Sequence, residues 1–181
     1  MCGITGFIDF NQNTSIQHLH KMTDILYHRG PDASGYELIK KENYCLGLGH
    51  RRLSIIDLTE SGAQPMRFQE FWICFNGEVY NFSEIRSELE SLGHKFKSTS
   101  DTEVVLQAYV KWGSACVDRF IGMFAFVIYN SSEGKIFCCR DRAGVKPFYY
   151  YFKDGLFLFS SELKSFHEHP RFDKQLNLSA V

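Results

Sequence analysis

The chain has 181 residues, 44% of them apolar and 15% aromatic, which suits one folded domain with a bulky core and excludes general disorder. Twenty Lys and Arg stand against 21 Asp and Glu, for a formal net charge of -1. That balance excludes a broad electrostatic grip on nucleic acid or anionic lipid.

Residues 3–10 read as a strand starting almost at the N-terminus. Residues 15–28 read as a helix, with Ile16, Leu19, Met22, Ile25 and Leu26 on one stripe and Gly30-Pro31 as its stop. Short apolar segments at 44–48, 52–58 and 71–76 read as strands. Residues 82–92 and 101–112 read as helices closed by Gly93 and Gly113, the second opened by a Ser100/Glu103 capping box. Strand-like runs follow at 122–130, 134–140, 147–152 and 156–160, read as one meander, and then a short helix from Ser161. Strands outnumber helices, which argues α+β with antiparallel sheets in one domain over 1–181.

Several classes are absent from the pattern. Met1-Cys2-Gly3-Ile4 has neither a basic n-region nor an apolar h-region. The longest apolar run, Met123 to Tyr129, is too short to cross a bilayer. No C-x-x-C occurs among the six cysteines, so reduced thiols in a cytoplasmic protein are the expectation. No glycine-rich phosphate loop is present. The pairs His18/His20 and His167/His169 read as solvated helix-face residues, and no metal site is expected.

Five features have chemistry within reach, each beside a plainer reading. Cys2 becomes the N-terminus once Met1 is removed, and then carries a thiol and a free α-amine of pKa ~7.7–8.0 on one residue; it is also simply a permitted second residue. Phe75-Asn76-Gly77-Glu78 can aim a side-chain amide and a backbone N–H at an oxyanion, and is equally a type I′ hairpin signal. His50-Arg51-Arg52-Leu53-Ser54-Ile55-Ile56-Asp57 offers an arginine fork for a carboxylate, or two surface charges at a strand edge. Asp101, in Ser100-Asp101-Thr102-Glu103, can meet an ammonium group or serve as part of a helix cap. His28-Arg29-Gly30-Pro31-Asp32 reads as a helix stop and turn.

The order and combination of the blocks say more than any one of them. MCGI at the start, HRGPD at 28–32, RRLSIID at 51–57, GAQPM at 62–66, FNGEVYN at 75–81, SDTEVV at 100–105, GMFAF at 122–126, RDRAGVKPFYY at 140–150 and SSELK at 160–164 together resemble the N-terminal glutaminase domain of glutamine-hydrolysing asparagine synthetases, a class II glutamine amidotransferase. The resemblance runs from residue 1 to about 170. It implies the four-layer αββα sandwich of N-terminal-nucleophile hydrolases, two antiparallel sheets between helical layers.

It also implies roles. Cys2 would be the nucleophile with its own amine as base, and Asn76 and Gly77 the oxyanion hole. Arg52 would bind the glutamine α-carboxylate, Glu78 and Asp101 the α-ammonium, and the backbone of Leu53, Ser54 and Ile55 would line the pocket. The substrate would be L-glutamine, hydrolysed through a thioester with no metal or organic cofactor in this domain. ATP and Mg²⁺ would belong to a synthetase domain, acting in cis or in trans, for which nothing here matches: no Ser-Gly-Gly loop occurs. No nucleic-acid or membrane partner is expected. The stop at Gln175–Val181 reads as a segment cut in mid-course, of an excised domain or a free-standing glutaminase. The face that would meet the synthetase would then be exposed and apolar, with self-association as a homodimer as its consequence. Two other readings are a glutaminase half serving another acceptor, such as a sugar or other carboxylate, and a non-catalytic glutamine-binding module.

Overall fold

The computed structural model describes residues 1–54 and 60–175. Twelve regular elements follow one another there: β1 (Gly3–Asp9), α1 (Ile16–Asp24), β2 (Ala33–Lys40), β3 (Cys45–Arg52), β4 (Met66–Phe68), β5 (Phe71–Val79), α2 (Phe82–Ser91), α3 (Asp101–Trp112), β6 (Gly122–Asn130), β7 (Lys135–Arg140), β8 (Tyr149–Lys153) and β9 (Leu156–Ser160). One sheet has the order β2-β3-β1-β9-β8 and the other β4-β5-β6-β7, and every pairing is antiparallel.

Strand alternation gives each sheet two apolar faces, and three clusters bury them. Ile4, Leu46, Leu48 and Phe159 of the first sheet meet Cys74, Ala125, Val127 and Tyr129 of the second. Phe7, Leu158 and Phe166 lie with Leu19 and Met22 of α1 on the outer face of the first sheet. Ile73, Phe75, Phe124 and Phe126 lie under Ile85 and Leu89 of α2 and Val104, Val105 and Ala108 of α3. The layers therefore run helix, sheet, sheet, helix: the αββα sandwich.

Several boundaries depart from the sequence reading. The first helix stops at Asp24, and a 3-10 turn spans Tyr27–Arg29. The chain there is pressed onto β3: a Cβ on Gly30 would lie 2.5 Å from Arg51 C and 2.6 Å from Arg52 C. The segments at 44–48 and 52–58 are instead one strand, Cys45–Arg52, with Leu53 and Ser54 beyond it in irregular structure and 55–59 outside the described residues. β2 and β4 carry no clear apolar period, because no residue of β2 is fully buried and β4 has only three residues. The Asn-Gly pair makes no hairpin, since β5 runs straight through it.

The four C-terminal strands are not one meander. β6 and β7 pair in one sheet, β8 and β9 in the other. The crossing segment is folded by the Asp141 carboxylate, which accepts the N–H groups of Phe124, Val145 and Lys146 at 3.2, 2.9 and 3.0 Å. A 3-10 helix, Leu163–Glu168, stands where a short helix was expected.

Two smaller expectations also change. Ser100 caps α3 through Thr102 N at 3.0 Å. Glu103 does not reach back to complete a box, because its carboxylate is taken up by Lys97 N, Ser98 N and the Ser98 hydroxyl. His169 is not solvated: it is buried, and its Nε2 lies 2.9 Å from the Thr14 hydroxyl. No helix among the described residues is long and apolar enough to cross a membrane.

Candidate active site

One cavity, of about 210 Å³, gathers Cys2, Arg52, Leu53, Ser54, Asn76, Gly77, Glu78 and Asp101. These are all but one of the site residues that the sequence suggested; Ile55 lies outside the described residues. Gln64, Thr102, Met123 and Lys146 share the wall and were not singled out from the sequence. Their signal was available in the GAQPM, SDTEVV, GMFAF and RDRAGVKPFYY blocks, but linear order does not show which residue of a block faces inward.

Cys2 immediately precedes β1, the central strand of its sheet. Its Sγ accepts the Leu53 N–H at 3.4 Å. Its carbonyl accepts Arg29 Nε at 3.0 Å, and Arg29 is itself held by Glu162 at 2.9 Å. The HRGPD and SSELK blocks thus meet at the N-terminus. Asp32 of the first block also accepts Ser54 N–H at 2.8 Å, which fixes Ser54 just past the end of β3. Burial pushes the Cys2 thiol up, and the Leu53 N–H and the Arg52 charge oppose that. In the chain as it stands the Cys2 nitrogen is part of the Met1–Cys2 peptide bond. Met1 is 56% exposed.

Adjacent residues on a strand face opposite ways, and this separates the two arginines. Arg51 turns to the helical layer, where it meets Asp24 at 2.6 Å and lies over the Tyr27 ring. Arg52 lines the cavity.

Asn76 and Gly77 sit in the middle of β5. Asn76 is 1% exposed, and its Nδ2 has no hydrogen-bond partner among the described residues. A buried donor left unpaired is a ready place for an acceptor. Gly77 is required by its neighbour: a Cβ there would lie 2.5 Å from Met123 O and 2.7 Å from Phe124 Cα, both backbone atoms of β6. Asp101 begins α3, and its Oδ2 accepts Val79 N–H at 3.1 Å. Its carboxyl is pushed up to about 6, chiefly by burial and further by the Glu78 charge, against hydrogen bonds from Val79 and Thr102.

The cavity therefore offers a thiol, an unpaired amide donor, a guanidinium on one wall and a carboxylate on another. Comparison with known proteins agrees with that set. A family described as "Glutamine amidotransferase domain" matches residues 1–181. The chain belongs to this family.

Among relatives of this amidotransferase domain, a putative glutamine-hydrolysing asparagine synthetase 2 of Methanocaldococcus jannaschii is 40% identical over 99% of the chain. Glutamine-hydrolysing asparagine synthetase 3 of Bacillus subtilis is 43% identical over 94% of it. The chain spans 37% and 28% of those two relatives, about a third of their length. An amidase, chyE of Penicillium rubens, is 37% identical over 92% of the chain. Among solved structures, a glutamine phosphoribosylpyrophosphate amidotransferase from B. subtilis superposes over 92% of this chain and 43% of its own, with a TM-score of 0.75 and 19% identity. That likeness bears on the fold, and it agrees with the αββα layers.

Proposed function

We propose that this domain hydrolyses L-glutamine to L-glutamate and ammonia, with Cys2 as nucleophile once Met1 is removed. The observation that carries the reading is the meeting, in one cavity, of the Cys2 thiol with the unpaired Asn76 amide between Arg52 and Asp101. Glutamine is a zwitterion at one end and a neutral amide at the other. Arg52 takes its α-carboxylate through a planar fork, and Asp101, with Glu78 beside it, takes the α-ammonium. The backbone of Leu53 and Ser54 completes the wall.

The freed α-amine of Cys2 takes the thiol proton, and the thiolate attacks the side-chain amide carbon. The carbonyl π-electrons move onto oxygen, which the Asn76 amide and the Gly77 N–H stabilise. The amine returns the proton to nitrogen, the C–N bond breaks and ammonia leaves. Water then adds to the γ-glutamyl thioester with the same amine as base, and glutamate and the thiol are released. No step calls on a metal or an organic cofactor.

The relatives named asparagine synthetases support aspartate as the eventual ammonia acceptor, through an ATP- and Mg²⁺-dependent synthetase part in cis or in trans. The amidase relative favours a second reading, in which the same glutaminase half serves another acceptor. The deciding test is intact mass before and after 6-diazo-5-oxo-L-norleucine, a glutamine-like electrophile. The expected result is a chain lacking Met1 that gains one adduct at Cys2, and none in Cys2→Ala. A chain that keeps Met1 yet releases ammonia from glutamine would overturn the mechanism.

A further inference from the structure

Among the described residues, β5 has no partner strand along one side where the site lies, and side chains stand in for one. In an antiparallel ladder, the N–H and C=O of alternate residues point to the same side. Phe71 and Ile73 face β4, which ends at Met66 opposite Ile73. Phe75, Gly77 and Val79 continue on that side with no strand beyond them among the described residues. Phe75 N–H donates to Gln64 Oε1 at 2.6 Å, and Phe75 C=O accepts His50 Nε2–H at 3.2 Å. Val79 N–H donates to Asp101 Oδ2 at 3.1 Å. The Gly77 N–H between them faces the cavity.

Gln64 closes this edge into a ring. Its Nε2 donates to the Thr102 hydroxyl at 3.2 Å, and Thr102 is bonded to Asp101, whose carboxylate holds Val79. The path Phe75–Gln64–Thr102–Asp101–Val79 therefore frames Gly77. Gln64 and His50 are both buried. They come together because Gly35 pairs with His50 and has no Cβ: one there would collide with the Gln64 carbonyl oxygen.

We propose that Gln64 is a positioning residue for the reaction. Through Phe75 and Thr102 it holds the Gly77 N–H in register with Asp101, so that the oxyanion donor and the ammonium acceptor keep one fixed separation. His50 is the second clamp on the same peptide. This rests on the glutaminase reading for its catalytic consequence, though not for the geometry. Gln64 touches no reacting atom; it acts through the position of Gly77.

The test uses Gln64→Met, which keeps length and loses both bonds, Thr102→Val, which removes only the far acceptor, and the double variant. Misplacing a catalytic donor by about 1 Å costs on the order of 100-fold, so kcat for glutamine should fall by up to ~100-fold in Gln64→Met. The inhibition constant of L-norvaline, an α-amino acid that offers Arg52 and Asp101 its zwitterion and has no γ-carbonyl, should barely change. The double variant should lose no more than Gln64→Met alone, because both changes cut one path. Hydrogen exchange of the Gly77 amide, followed by NMR, should speed up in both single variants. Unchanged Gly77 exchange and shift in folded Gln64→Met would overturn the proposal. So would a kcat loss matched by an equal weakening of L-norvaline binding. A wild type that releases no ammonia from glutamine would instead sink the glutaminase reading, and Gly77 exchange would still decide what Gln64 does.

Discussion

Replacing Asn76 by alanine should separate turnover from stability. In the folded protein its Nδ2 is buried without a partner among the described residues, a state that costs about 1–3 kcal/mol for a polar group. As an oxyanion donor, the same amide is worth about 2.7–4 kcal/mol of barrier. At ~1.36 kcal/mol per tenfold, Asn76→Ala should lower kcat by roughly 100- to 1000-fold. The side chain borders a cavity of about 210 Å³, so truncation opens little new void, and it removes the unpaired donor. The thermal midpoint should therefore hold or rise, by about 2–4 °C per kcal/mol regained in a chain of this size. Ammonia release coupled to glutamate dehydrogenase gives kcat and KM, and calorimetry gives the midpoint. A wild-type kcat in folded Asn76→Ala, or a fall in midpoint large enough to explain the lost activity, would refute the reasoning.

Further outcomes follow from the walls of the site. The Asp101 carboxyl stands at about 6 against an ordinary value of 3.8. Its buried charge thus destabilises the fold above pH 6, by about 3 kcal/mol at ~1.36 kcal/mol per unit, and the burden lifts as pH falls from 6 through 3.8. Asp101→Asn should accordingly be more stable than wild type at pH 7 and equal to it at pH 3.5, while in wild type kcat/KM should fall below about pH 6 as the ammonium partner is neutralised; paired pH profiles and urea titrations read both. Arg52→Ala should raise KM for glutamine by roughly 10- to 100-fold, the effect of losing a charged hydrogen bond of about 1.5–3 kcal/mol. Arg51→Ala should leave KM unchanged, and equal effects from the two arginines would undo the face assignment.

Much of this protein was legible in its linear order. Cys2, Arg52, Asn76, Gly77 and Asp101 sit in short blocks whose spacing survives any folding. The helices at 82–91 and 101–112 announced themselves by the glycines that close them, Gly93 and Gly113, and the second also by its Ser100 cap. The extent of β3 and the existence of β2 were not legible, because Gly47 and Gly49 interrupt the apolar period of the first and no residue of the second is fully buried. Periodicity also could not tell one meander from two hairpins in different sheets, a choice made by the Asp141 carboxylate as it gathers N–H groups from β6 and from the crossing segment.

The amino-acid order alone determined which groups can react, since a thiol, an amide, a guanidinium and a carboxylate are properties of single residues. Tertiary structure decided which way they face and what they face. It sent Arg51 to the helical layer and Arg52 to the cavity, and carried β5 straight through an Asn-Gly pair that by local preference turns. It also ended β4 early, so that Gln64, 11 residues from Phe75, does the work of a strand. Such facts depend on which strand lies beside which, and pairing between distant segments leaves no trace in local sequence.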